Sequence, residues 1–252
     1  MTRLDLYLVQ KGFVSGRDAA KRLIAEGGVK LDGKTVARPS EQVDESTPHE
    51  VELSDPNGGY ASRGGLKLEG ALAASGLSPA GLVALDIGAS GGGFTDCLLK
   101  RGAASVYALD NGHGQLAERL RRDPRVTVME GYNARNLDRA DFPIPPRFIT
   151  MDVSFISQTL ILPALARMLD PGALLVTLIK PQFEVGRAGV GRGGIVRDPA
   201  LRRAAKEKVI SFAETLGFTC LGSAVSPILG GDGNEEYLAW FSFDGNGKEK
   251  GQ

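Results

Sequence analysis

Asp86-Ile87-Gly88-Ala89-Ser90-Gly91-Gly92-Gly93-Phe94 decides how this chain folds, together with Asp110 at the end of the next apolar run. Residues 82–87 read as a buried strand, the glycines as a tight turn, and 94–101 as the helix it opens. A second strand over 105–110 then delivers a carboxylate. This layout is a nucleotide-ligand site on an open α/β sheet. Glycines let the backbone approach the ligand, and an acid at the second strand tip accepts hydrogen bonds from ribose hydroxyls.

The identity of the ligand turns on two residues. A dinucleotide site needs a G-x-G step so that pyrophosphate can sit on the helix N-terminus, but Ser90 takes the middle-glycine position. Asp86, two residues before Gly88, would repel a pyrophosphate if it faced the ligand and would suit a cation. S-adenosylmethionine carries an amino group, a sulfonium and a ribose, and no phosphate. The residues favour this methyl donor over a nicotinamide or flavin, and a glycine-rich turn that binds nothing is the remaining alternative. The candidate donor contacts are Asp86, Gly88, Ala89, Ser90, Gly92, Phe94 and Asp110, with Glu130 or Asn133 at the next strand end.

At 252 residues the chain has room for one large α/β domain and a small companion. No run approaches the roughly 18 apolar residues of a membrane helix, and the N-terminus has no secretory pattern, so no membrane partner is expected. Cys97 and Cys220 are isolated, which fits buried thiols in a reducing, cytoplasmic setting. His49 and His113 have no cysteine cluster nearby, so no metal site is expected.

Thirty Lys and Arg balance thirty Asp and Glu, which excludes a uniformly basic nucleic-acid binder. The distribution says more. Residues 1–40 hold eight bases against four acids, 41–55 hold six acids and no base, and 187–208 hold seven bases against two acids. Two basic patches around an acidic segment fit an RNA-contacting surface, and ordinary solvated charge would give the same count.

Residues 1–53 read as a small separate domain. A helix over 3–11 stops at Gly12, and a second helix is capped by Ser15 and stopped at Gly27-Gly28. Asp32-Gly33 between 29–31 and 34–36 is a hairpin signal. Arg17, Lys21 and Arg22 give the second helix a basic face. Arg3-Leu4-Asp5, Gly12–Arg17, Ala20–Ile24 and Gly28–Lys34 together resemble the S4 RNA-binding domain. That resemblance implies docking on structured RNA by shape and phosphate contacts.

Residues 54–59 are a turn-rich linker. Beyond it come a helix over 66–75 and then alternation: strand 82–87, helix 94–101, strand 105–110, helix 114–122, strand 125–129. Strand 147–152, helix 158–169, strand 173–179, helix 199–216 and two closing strands, 219–225 and 237–243, complete it. Such alternation means a doubly wound, mostly parallel sheet. Reacting groups in these sheets gather at the carboxyl ends of strands, which singles out Asp152 and Lys180. A lysine beside an aspartate at two strand tips is either a structural ion pair or a catalytic one.

The whole chain resembles the TlyA family, RNA 2′-O-methyltransferases with an S4 domain fused to an FtsJ-type domain. The matching stretches are 60–68, 86–99, 110–116, 152–157, 180–184, 193–199 and 233–237. The resemblance implies a Rossmann-like, seven-stranded class I methyltransferase domain over 60–245, preceded by an α+β S4 domain and linker over 1–59; the polar composition of residues 246–252 reads as a disordered tail. It places a Lys-Asp-Lys-Glu catalytic set on Lys67, Asp152, Lys180 and Glu236, with Glu235 making the last assignment ambiguous. It implies S-adenosylmethionine as cofactor and ribosomal RNA or ribosomal subunits as partner, with transfer to a cytidine ribose. Expected RNA contacts are Arg3, Arg17, Lys21, Arg22, Arg63, Arg187 and Arg192, the last two on a mobile loop. Lys180 would meet the 2′-hydroxyl, as a base if uncharged or as an orienting cation if charged. A non-catalytic ribosome-assembly factor and a secondary haemolytic activity, a label some relatives carry, stay open as alternatives.

Overall fold

The computed structural model describes residues 1–14, 16–55 and 57–245. The expected cap Ser15, Pro56 of the linker and the tail over 246–252 lie outside the described residues. The chain divides into two compact units that part between Gly59 and Tyr60.

The first unit contains β1 (Thr2–Arg3), α1 (Leu4–Gln10), α2 (Arg17–Ala25), β2 (Val29–Leu31), β3 (Lys34–Thr35), β4 (Gln42–Val43) and β5 (Val51–Leu53). Leu4, Leu8, Ile24 and Val29 are fully buried between the helices and strands. Asp32 and Gly33 both take positive φ, the mirror-image turn that the twist of a hairpin requires. β2 pairs antiparallel with β3 and β5, and β1 pairs with β4. The three short strands β1, β4 and β5 were not foreseen, because two or three residues carry no readable period.

The second unit opens with α3 (Gly64–Ser75), β6 (Val83–Ile87), α4 (Gly93–Lys100), β7 (Ser105–Asp110), α5 (Glu118–Arg121) and β8 (Val126–Glu130). It continues through β9 (Phe148–Met151), α6 (Leu162–Met168), β10 (Leu174–Ile179), α7 (Pro181–Glu184), α8 (Pro199–Thr215), β11 (Phe218–Val225) and β12 (Tyr237–Phe243). The seven strands run in the order β11-β12-β10-β9-β6-β7-β8, and only β12 is antiparallel to its neighbours. The strand order reverses at β6, where β7 lies on one side and β9 on the other. That reversal opens a crevice at the carboxyl ends of the strands. Strand alternation splits the core in two: Leu85, Ile87 and Leu109 face α6 and α8, while Ala84, Val106 and Val176 face α3 and α4.

Two helices differ from expectation. The helix expected over 114–122 is reduced to α5, because Gly114 takes positive φ and Ala117 is extended. The helix expected over 158–169 is a 3₁₀ turn followed by α6, with Pro163 in its first turn, where a missing N–H is tolerated. No helix among the described residues is long and apolar enough to cross a membrane.

Candidate active site

The glycine turn between β6 and α4 is shaped by close approach. Gly88 has φ 86°, and a Cβ there would lie 2.3 Å from the Asp152 carbonyl oxygen, so only glycine lets β6 and the end of β9 meet. Ser90 has φ 45°, which an L-residue rarely adopts. Its N–H donates to Asp110 Oδ2 at 2.8 Å and its hydroxyl donates to Gln115 Oε1 at 3.0 Å. Asp110 Oδ1 accepts a second amide, Gly112 N–H, at 2.7 Å.

Around this turn lies a cavity of about 650 Å³, within the usual range for a small-molecule site. Gly88, Ser90, Asp110, Asn133, Asp152 and Phe155 are among its walls. A smaller cavity of about 230 Å³ is lined by Arg63, Lys67, Ala89, Phe94 and Asp152, and shares Gly88, Ser90 and Asp152 with the larger one. The residues present fit a methyl donor. The backbone approaches closely at Gly88, an acid stands ready for the ribose, and the smaller chamber leads to Lys67.

Two expected donor contacts are corrected. Asp86 does not face the ligand: its side chain is fully buried and lines neither cavity. It accepts hydrogen bonds from Thr95 Oγ1 at 2.6 Å and Thr150 Oγ1 at 2.8 Å, tying α4 and β9 to β6. Burial pushes its carboxyl up to about 6, against the two hydroxyls. Gly92 also lines neither cavity. A Cβ there would strike Leu120 Cδ1 at 2.3 Å, so its role is to let α5 pack on the turn.

Two ion pairs stand at the far side of the turn. Lys180 Nζ lies 2.7 Å from Asp152 Oδ1 and donates to Ser154 Oγ at 2.9 Å. Lys67 Nζ lies 2.5 Å from Glu236 Oε2, with both residues buried. Asp152 and Lys67 line the same small cavity, which brings the pairs to one place. Glu235 is engaged elsewhere, accepting from Tyr237 Oη at 2.8 Å and pairing with Arg202 at 3.2 Å, which leaves Glu236 as the acid beside Lys67.

The expected RNA-contacting bases divide. Arg3 and Arg17 both pair with buried Asp5, at 3.0 and 3.1 Å, and the Arg3 hydrogen bond leads in holding that carboxyl down at about 2. Their charge is partly used within the fold. Lys21 meets Asp18 at 3.4 Å, and Arg22 is exposed. Arg63 lines the small cavity. Arg187 and Arg192 are exposed on two 3₁₀ turns, Arg187–Gly189 and Arg192–Gly194. The end of that loop is tethered: Asn234, itself buried, accepts from Val196 N–H at 3.0 Å and donates to Gly194 O at 2.9 Å.

Sequence reasoning missed several residues of the cleft. Ser154 and Phe155 follow Asp152, and Phe155 is 92% exposed with φ 63° and its ring 5.2 Å from that of Phe183. Gln115 and Gly112 stand opposite the glycine turn. Position just beyond a strand tip is the signal that could have found them. Cys97 is buried, and burial drives its thiol up to about 12, while Cys220 is half-buried. No cluster of metal-ligating side chains occurs among the described residues.

The FtsJ-like methyltransferase family model matches residues 60–243, and the S4 domain model matches residues 2–47. The 16S/23S rRNA (cytidine-2′-O)-methyltransferase TlyA of Mycobacterium tuberculosis is 44% identical over 238 residues, covering 94% of this chain and 88% of the relative. Hemolysin A of Brachyspira hyodysenteriae is 44% identical over 240 residues, covering 95% and 99%. A solved structure from Streptococcus thermophilus, described as a candidate hemolysin, superposes with a TM-score of 0.76 at 44% identity, covering 97% of this chain and 90% of that one.

Proposed function

Because the chain belongs to the FtsJ-like methyltransferase family and carries an S4 domain, we propose that it transfers a methyl group to a ribose 2′-hydroxyl of ribosomal RNA, at a cytidine. The observation that carries this reading is the meeting of the Lys180–Asp152 and Lys67–Glu236 pairs beside the donor cavity. The rRNA and cytidine come from the name of the M. tuberculosis relative. Ribosomal RNA as acceptor makes the cytoplasm the place of action.

When bound, S-adenosylmethionine supplies a methyl group already activated on a sulfonium. Asp110 would hold the ribose, and the Gly88–Ser90 backbone would lie along the donor. Positioning is then the main task left to the protein, and it can be worth roughly 7–11 kcal/mol. Lys180 is aimed by two partners, Asp152 and Ser154. An ammonium has three donors and one of them goes to Ser154, so an N–H remains to meet the acceptor 2′-oxygen and to stabilise negative charge that develops there. Lys67, held by Glu236, puts a positive charge on the wall of the smaller chamber, which it shares with Asp152, the partner of Lys180.

The mouth of the cleft suits an RNA strand. Phe155 beside Phe183 offers an apolar plate on which an unstacked base can rest. Arg187, Arg192, Arg197 and Arg203 are exposed along the loop and α8, where they can contact phosphates.

Incubating the protein with methyl-labelled S-adenosylmethionine and unmodified ribosomal subunits tests this. The expected product is a 2′-O-methylcytidine, mapped by its resistance to alkaline hydrolysis. Label on a base, or RNA binding without transfer, would overturn the reading.

A further inference from the structure

Resting on that donor-site reading, we propose that Gln115 is a donor-specificity residue, whose Nε2 donates to the ribose hydroxyl that gives its hydrogen to Asp110. A ribose hydroxyl both donates and accepts, whereas a carboxylate only accepts. Asp110 can therefore satisfy half of the hydroxyl's hydrogen bonding. Its two oxygens already hold the N–H groups of Ser90 and Gly112, and each keeps a lone pair for a ligand.

Gln115 supplies the missing donor. The Ser90 hydroxyl donates to Oε1, which fixes the face of the amide and turns Nε2 the other way. Nε2 has no hydrogen-bond acceptor among the described residues. A Cβ built on Gly112 would lie 2.3 Å from Gln115 Nε2 and 3.2 Å from Asp110 Oδ1, so the donor and the acceptor flank one point above Gly112. Gly112 does not have left-handed φ, so the glycine there leaves room for the amide and is not needed by the backbone. Gln115, Gly112, Asp110 and Ser90 all line the larger cavity. Ser90 thereby gains a role: its left-handed backbone places the hydroxyl that aims the amide.

Calorimetry on the intact protein tests this with S-adenosylhomocysteine and its 2′-deoxy and 3′-deoxy counterparts. Gln115→Ala should weaken S-adenosylhomocysteine about five- to tenfold, the worth of one hydrogen bond. It should also shrink the preference for the full ribose over one of the deoxy ligands by the same factor. Gly112→Ala should reproduce the loss by displacing the amide, and Gln115→Glu, which puts an acceptor beside Asp110, should do at least as much. Unchanged affinity in Gln115→Ala, or equal weakening toward all three ligands, overturns the proposal. Wild-type protein that binds none of the three overturns the donor-site reading and this proposal with it.

Discussion

Lys67 on α3 and Glu236 at the entry to β12 are 169 positions apart, and their charged atoms meet at 2.5 Å in the interior. Removing one partner leaves the other charge, nearly buried, without its counter-charge, which costs up to about 3–5 kcal/mol. Glu236→Ala should therefore lower the urea midpoint sharply. A Lys67→Met, Glu236→Leu double variant should recover most of that stability and still transfer no methyl group. Equal loss of stability in the double variant would show that the pair is not an isolated charge problem.

Asp86 gives the fold a pH signature. Its carboxyl stands at about 6 in the native state against 3.8 for the ordinary group, so the native state holds its proton more tightly. Stability from this group is full below about pH 4 and is lost as pH rises to about 6, by about 3 kcal/mol. Asp86→Asn keeps a neutral group of the same shape. The stability of the variant minus that of wild type should be flat in acid, climb between about pH 4 and 6, and level off above. A flat difference across the whole range would refute the buried-carboxyl account.

Asp110 accepts the Ser90 N–H, and the proposed function gives it the donor ribose as well. Asp110→Ala should weaken S-adenosylhomocysteine by about 1–3 kcal/mol in calorimetry, the scale of a lost charge-assisted hydrogen bond. Affinity equal to wild type would remove Asp110 from the donor site.

Asn234 tethers the loop that bears Arg187 and Arg192. Asn234→Ala leaves the buried Val196 N–H without its partner, at about 1–3 kcal/mol. Trypsin should then cut at Arg187 and Arg192 several-fold faster, and RNA affinity should fall while donor affinity holds. Cleavage at the wild-type rate would mean that the amide does not secure the loop.

Much of this was legible in the sequence, and the failures have physical causes. The strands 82–87 and 105–110 announced themselves as apolar runs ended by glycines and an acid, and they emerge as β6 and β7 within one residue. Asp86 misled because its partners are remote: Thr150 faces it across the β6–β9 pairing, and Thr95 reaches it from α4. Strand pairing at that separation leaves no local trace. Gln115 was hidden for a different reason. It sat in an expected helix over 114–122, whereas Gly114 breaks that helix and frees residues 115–117 to line the cleft and pack on the turn. Lys180 and Asp152 could be read from position alone, at the tips of neighbouring strands, but their 2.7 Å contact needed the β9–β10 register.

The most direct test of the account is Lys180→Ala, assayed in parallel for methyl transfer to unmodified ribosomal subunits and for S-adenosylhomocysteine affinity. The account predicts no detectable 2′-O-methylation with donor-site affinity within about twofold of wild type, since Lys180 acts on the acceptor oxygen and holds no part of the donor. Substantial remaining transfer at intact affinity would contradict it.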